Sequence, residues 1–333
     1  MPQAEAIDNS KENGNGILYR LLHVRELGVF TALVVLVIAM SILSPYFLKT
    51  QNIFNVMRSM STTGIMAIGE TMVIITAGID LSVGSLLGVS AMFAARLMFL
   101  GINPWVSAVC GLGLGTLLGA VNGFIITKIK VNPFITTLGM LSIGRGLTYL
   151  LASGLQGTVA SNVPMRDDMV NFLGDGYIGV VPFPVIEMIV LVVIFSLFLR
   201  YTVLGRQIYA VGSNEQAARL SGVSITRVKL FVYTITGLLC ALAGIMLGGL
   251  LSTAATNAGV GVELDVIAAC VIGGASLMGG EGTIIGSIIG AAIMAVLRNA
   301  FVLLHFPIYM QTITIGVVIV IAVAFDQWRR RSR

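Results

Sequence analysis

GRQIYAVGSNEQAARLSGVSITRVK, residues 205 to 229, is a polar island set between two apolar runs, Val185 to Leu199 and Leu230 to Leu251. It carries Arg206, Arg219, Arg227 and Lys229, with Arg200 just upstream. The flanking runs read as membrane spans, and a loop between spans this rich in Lys and Arg belongs on the cytoplasmic side. Ser213 with Gln216 three residues later reads as a capping box. The run from Gln216 to Leu220 is made of good helix formers. Gly222 supplies a stop, because glycine tolerates the left-handed conformation. The pattern predicts an exposed helix of about two to three turns, which is marginal alone and needs something to pack against. A solvated loop with one helical turn is the plainer reading.

Composition agrees with spans on both sides of the island. The 333 residues are 56% hydrophobic and 11% charged, whereas soluble domains are about a quarter charged. An all-α polytopic membrane protein follows, with room for about eight to ten spans at ~20 residues each. The net charge of +5 comes from loop Lys and Arg and speaks to orientation, not to nucleic-acid binding. Cys110, Cys240 and Cys270 lie inside apolar runs and read as small buried hydrophobes. With His23 and His305 far apart, no metal site is expected.

Ten spans satisfy nearly every charge cluster. Residues 1–26 form a polar cytoplasmic tail, 27–326 the transmembrane domain, and 327–333 a basic cytoplasmic tail. The first span, Leu27 to Leu43, follows Arg20 and Arg25. Tyr46 to Met60 reads as a separate surface-lying segment, because Lys49 and Arg58 fall on the outer side. The second span is Ser61 to Ala77, and the eighth is Val266 to Met278. Residues 153–184, rich in Gly, Pro, Asn and Asp, read as an external loop, and 200–229 as the cytoplasmic one. GIDLSVGSLLG (Gly78 to Gly88) resembles GGASLMGGEGTIIG (Gly273 to Gly286), about 200 residues on. Both begin spans of the same orientation, so a parallel internal repeat is expected.

Charges inside a bilayer are costly and point to function. They are Glu70, Asp80, Arg145, Glu263, Asp265 and Glu281. Asp80 lies in a Gly-flanked break beside Ser82, where exposed backbone must face protein or a watery cavity. Capping of the next span by Asp80 and Ser82 is the structural alternative. Glu70, Asp80, Ser82, Asn122, Arg145 and Glu281 are assigned to a translocation pathway. Gly111, Gly115 and Gly119, like Gly286 and Gly290, are spaced to let helices pack closely. No phosphate-binding GxxxxGK[ST] loop, GxSxG or HExxH occurs, so no catalytic residue is assigned and any ATP is hydrolysed by another chain.

Several stretches together resemble one family. They are GETMVIITAGIDLSVGS (Gly69 to Ser85), NGFIITKIKVNPFITTLG (Asn122 to Gly139), GRGLTYL (Gly144 to Leu150), GRQIYAVGSNEQAARLSG (Gly205 to Gly222) and GVELDVIAACVIGGASLMGGEGTIIG (Gly261 to Gly286). The chain resembles the membrane permease of ribose/xylose-type monosaccharide ABC importers, from Asn52 to the last span. Permeases for allose, autoinducer-2 and nucleosides are similar. The resemblance implies a second permease chain, a cytoplasmic ATPase carrying ATP-Mg, an external sugar-binding protein, and a bacterial inner-membrane location with no cofactor in this chain. The island helix would be the coupling helix, with Asn214, Glu215, Ala217, Ala218, Leu220 and Gly222 matching the family pattern. Transport would proceed by alternating access. An ion-coupled secondary transporter using Glu70 or Asp80 is the alternative.

Overall fold

The computed structural model describes residues 25–153 and 162–331. Residues 1–24 of the expected N-terminal tail, 154–161 of the external loop and 332–333 of the basic tail lie outside the described residues.

In chain order the spans begin with α1 (Arg25–Leu43), α2 (Thr50–Ile75), α3 (Val83–Phe99) and α4 (Pro104–Phe124), which ends in a π-helical turn, Ile125–Ile129. Next come α5 (Pro133–Ser153), a short α6 (Asp168–Asp175) and α7 (Phe183–Tyr201). The island holds α8 (Val203–Ser213) and α9 (Glu215–Leu220). The remainder is α10 (Ile225–Leu251), α11 (Val262–Ile272), α12 (Ile284–Leu303) and α13 (Ile308–Arg331). Each of the expected spans is thus met by a helix. Among the described residues five are long and apolar enough to cross a membrane unaided: α4 with its π turn, α5, α7, α10 and α12. The protein is an all-α polytopic membrane protein.

Small residues let α10 sit at the centre. It packs on α4, α3, α2 and α6. A Cβ on Gly119 would stand 2.4 Å from the Tyr233 carbonyl, and one on Gly237 would stand 2.3 Å from that of Gly115. Bare backbone is what allows α4 and α10 to approach so closely. The expected ridge on α12 behaves likewise, since a Cβ on Gly290 would stand 2.0 Å from the Ala269 carbonyl.

The structure departs from the sequence reading in four places. Tyr46 to Met60 is not a separate surface segment, because α2 runs unbroken from Thr50 to Ile75. Polar residues of its first half are tied to remote partners instead. Asn52 and Asn299 exchange amide hydrogen bonds at 3.0 and 2.7 Å. Arg58, 7% exposed, pairs with Asp175 at 2.6 Å and lies over the Tyr177 ring. The external loop is also structured. Strand β1 (Asn162–Pro164) pairs antiparallel with β4 (Thr253–Ala255), β2 (Tyr177–Ile178) pairs with β3 (Val181–Pro182), and α6 packs on α10. The eighth span is helical only to Ile272, and α11 spans about 16 Å at 1.5 Å per residue. Finally, Ser213 ends α8 and does not cap the island helix; Asn214 does.

Candidate functional site

The island end of the molecule is built on backbone contacts. Thr202 starts α8 by accepting the Gly205 N–H at 2.9 Å. At the other end of α8, Gly212 lies so close to α2 that a Cβ there would meet the Ile75 carbonyl at 1.6 Å. That carbonyl, where α2 stops, accepts the Gly280 N–H at 2.9 Å. Tyr209 of α8 donates its hydroxyl to the Gly282 carbonyl at 2.8 Å. The two Gly-rich breaks read as repeats, after Ile75 and after Ile272, therefore lie side by side and both touch α8.

From this junction α9 projects. Asn214 Oδ1 accepts the Ala217 N–H at 2.9 Å, capping the helix. Gly222, at φ +81°, ends it as expected. Glu215 ties α9 to α10 through Lys229 at 2.8 Å, with Arg219 at 3.3 Å. The hydrogen bond from Lys229 holds the Glu215 carboxyl below its ordinary value. Asn214, Ala217 and Gly222 are exposed, and Leu220 is 90% exposed. Ala218 instead turns inward and is only 5% exposed.

The expected pathway residues fall into three separate places. Glu70, Asp80, Ser82 and Asn122 form one knot, all fully buried. The Asp80 N–H donates to Glu70 Oε1 at 3.1 Å. Asp80 Oδ1 accepts from the Ser82 N–H and hydroxyl, and Asn122 Nδ2 donates to Ser82 Oγ at 3.0 Å. Asp80 thus braces the turn into α3, while the Ser82 side chain makes no capping bond. Within the knot, Glu70 Oε2, Asp80 Oδ2, Asn122 Oδ1 and the Tyr233 hydroxyl have no partner among the described residues. Glu281 lies elsewhere, half-buried at the junction, where its carbonyl accepts the Ser276 N–H.

Arg145 marks the third place. It lies about 18 Å along α5 from Pro133, near the middle of a ~30 Å hydrocarbon core. Its Nη1 donates to the Ala258 carbonyl. After β4 the chain turns at Gly259 (φ +74°) and Gly261 (φ +77°) into α11, whose first residues, Val262 and Glu263, are half-buried. Gly259 packs on Gly84 so tightly that a Cβ on Gly84 would stand 2.3 Å from its carbonyl. Glu263, in the first turn of α11, shares this region, and its Oε2 has no partner among the described residues. Arg145 and Glu263 are only half-buried. A charge at that depth is not left facing lipid; it faces a wet cavity or another chain. The sequence reading singled out Glu263 as a charge but not as a pathway residue. The glycine pair that turns the chain before it was the available signal.

The branched-chain amino acid transport system / permease component family matches residues 52–323 of the chain. The chain belongs to this permease family. It is 42% identical over 304 residues to the ribose import permease protein RbsC of Bacillus subtilis, covering 91% of this chain and 93% of that one. The fructose import permease protein FrcC of Rhizobium meliloti is 38% identical over 83% of this chain and 78% of its own. The D-allose transport system permease protein AlsC of Escherichia coli is 37% identical, with 90% of this chain and 91% of that one covered. No solved structure matches. The resemblance from Asn52 onward is borne out. The protein is a multi-pass membrane permease and not itself an enzyme.

In this permease direct contacts link these elements. Helix α9 joins α8 through the shared Asn214 and α10 through the Glu215–Lys229 pair. At Gly212, α8 in turn abuts the backbone where α2 ends and the break before α12.

Proposed function

We propose that this permease is the membrane subunit of an ATP-driven importer for a monosaccharide or a related small polar solute. The observation that carries the reading is α9, with Leu220 and Ala217 exposed on a helix whose root is wedged against Ile75 and Gly280. Such a helix is suited to seat in a soluble ATPase, which holds ATP-Mg. The Lys and Arg of the island and of the segment around Lys128 and Lys130 make this end cytoplasmic, and both termini with it. A second permease chain faces Arg145 and Glu263, and the solute passes between the two copies by alternating access. An external sugar-binding protein delivers the solute at the opposite end, over α6 and the β1–β4 pair.

The named relatives handle ribose, fructose and allose, which supports a monosaccharide. The buried Glu70–Asp80 knot fits a hinge brace better than an ion route, since all of it is sealed within one chain. Uptake of labelled sugar into membrane vesicles distinguishes the readings. It should vanish when the ATPase is absent and survive an uncoupler while ATP is supplied. Uptake that collapses with the uncoupler and persists without ATP would assign the permease to ion-coupled transport.

A further inference from the structure

A cavity of about 670 Å³ lies on the flank of the permease, between α7, α8 and the start of α12. Its walls are apolar, with Val193, Leu197 and Ile285 along it. Its rim carries two cations, Arg200 and Arg206. Arg200 lies over the ring of Tyr201, and Arg206 donates to the Tyr201 carbonyl at 3.4 Å. Among the described residues neither enters an ion pair. Ser196 also lines the groove, and its buried hydroxyl has no partner among the described residues. Helix α7 leaves Ile189, Val190, Val193, Ile194 and Leu197 exposed, as a span facing hydrocarbon does.

We propose that this groove is a binding site for one anionic phospholipid of the cytoplasmic leaflet. An acyl chain lies along Val193, Leu197 and Ile285, and the phosphate sits between Arg200 and Arg206. The ester region reaches Ser196. The site has the pattern of an apolar slot closed by basic residues at headgroup level. A zwitterionic headgroup would bring its own cation against the arginines, so anionic lipid is selected. A second permease copy fits the groove poorly, because a two-fold contact there would set the arginines of both copies against each other. The bound lipid would brace the elbow between α7 and α8, and α8 leads to α9. The inference rests on the cytoplasmic orientation of the island and not on the sugar.

The test is native mass spectrometry of the full-length permease titrated with phosphatidylglycerol and with phosphatidylcholine of the same chains. Wild type should retain phosphatidylglycerol about thirtyfold better, the value of two interfacial cations at an anionic headgroup. The paired change Arg200→Gln with Arg206→Gln should abolish that preference, and Arg200→Lys with Arg206→Lys should keep most of it. Ser196→Trp, which fills the slot and leaves the arginines in place, should lower retention of both lipids; adducts of inorganic phosphate alone should not replace them. Equal retention of phosphatidylglycerol by wild type and the Gln pair would overturn the proposal. So would a Val193→Cys permease that crosslinks to its own second copy, which would make the groove a subunit interface.

Discussion

At the scale of single residues, Gly212 makes the closest approach among the described glycines. A methyl group there must displace the Ile75 carbonyl or α8 itself. Gly212→Ala should cost about 1–3 kcal/mol from overpacking, read as a lowered midpoint in thermal unfolding. It should also weaken coupling, so that binding protein loaded with sugar no longer stimulates ATP hydrolysis. Asp80→Ala strips the acceptor from the Ser82 N–H and hydroxyl. Leaving them buried and unpaired costs about 1–3 kcal/mol, and transport should fall more than expression does. Replacing Glu263 by Gln, or Arg145 by Leu, should lower uptake about tenfold or more with ATPase binding intact, if each makes a charged hydrogen bond to the moving solute. Glu215 has a testable sign. Its carboxyl is held below the ordinary 4.5 by the Lys229 hydrogen bond. Its contribution is therefore complete above that ordinary value and fades as pH falls through the lowered one. ATPase co-purification should be the same at about pH 6 and about pH 8, where the carboxyl stays ionised. Glu215→Gln should weaken it at both.

At the scale of elements, what was legible followed from continuity. Helices α4, α5, α7, α10 and α12 are long apolar runs, and the sequence marks them without help from partners. Gly222 as a helix stop and the glycine ridges of α4 and α12 were readable too, because spacing and residue type alone carry them. Where the reading failed, the deciding partner lay far along the chain. Asn52 meets Asn299, and Arg58 meets Asp175. Nothing local shows that these polar groups will be satisfied, so the first half of α2 looked like a surface segment. Strands β1 and β4 are three residues each and depend on pairing across about 90 positions. The island helix was foreseen, yet its cap was misplaced by one residue, because Ser213 and Asn214 are both good caps. Only the folded chain decides that Ser213 finishes α8. Ala218, grouped by pattern with the docking residues, turns inward. Its replacement by Trp should unseat α9 from its own chain first, seen as lost stability before any loss of ATPase contact.

At the scale of the whole molecule, the permease combines a rigid axis with broken helices around it. Helix α10 holds α2, α3, α4 and α6, while the breaks before α3 and α12 meet at α8. The pathway residues expected from sequence proved to belong to three places with different work. The buried knot braces a turn, Glu281 lies at the junction, and Arg145 stands at mid-depth with Glu263. No single-sequence signal separates a buried charge from one facing a cavity, because burial is decided by how the helices assemble. In the proposed mechanism α9 is the contact through which ATP-driven motion enters. A photocrosslinker introduced in place of Leu220 in the assembled transporter tests this most directly. An adduct with the ATPase subunit should form from Leu220 and from Ala217, and none from a probe at Val193. Adducts with the ATPase from other cytoplasmic positions such as Lys128, with none from Leu220 or Ala217, would contradict that mechanism.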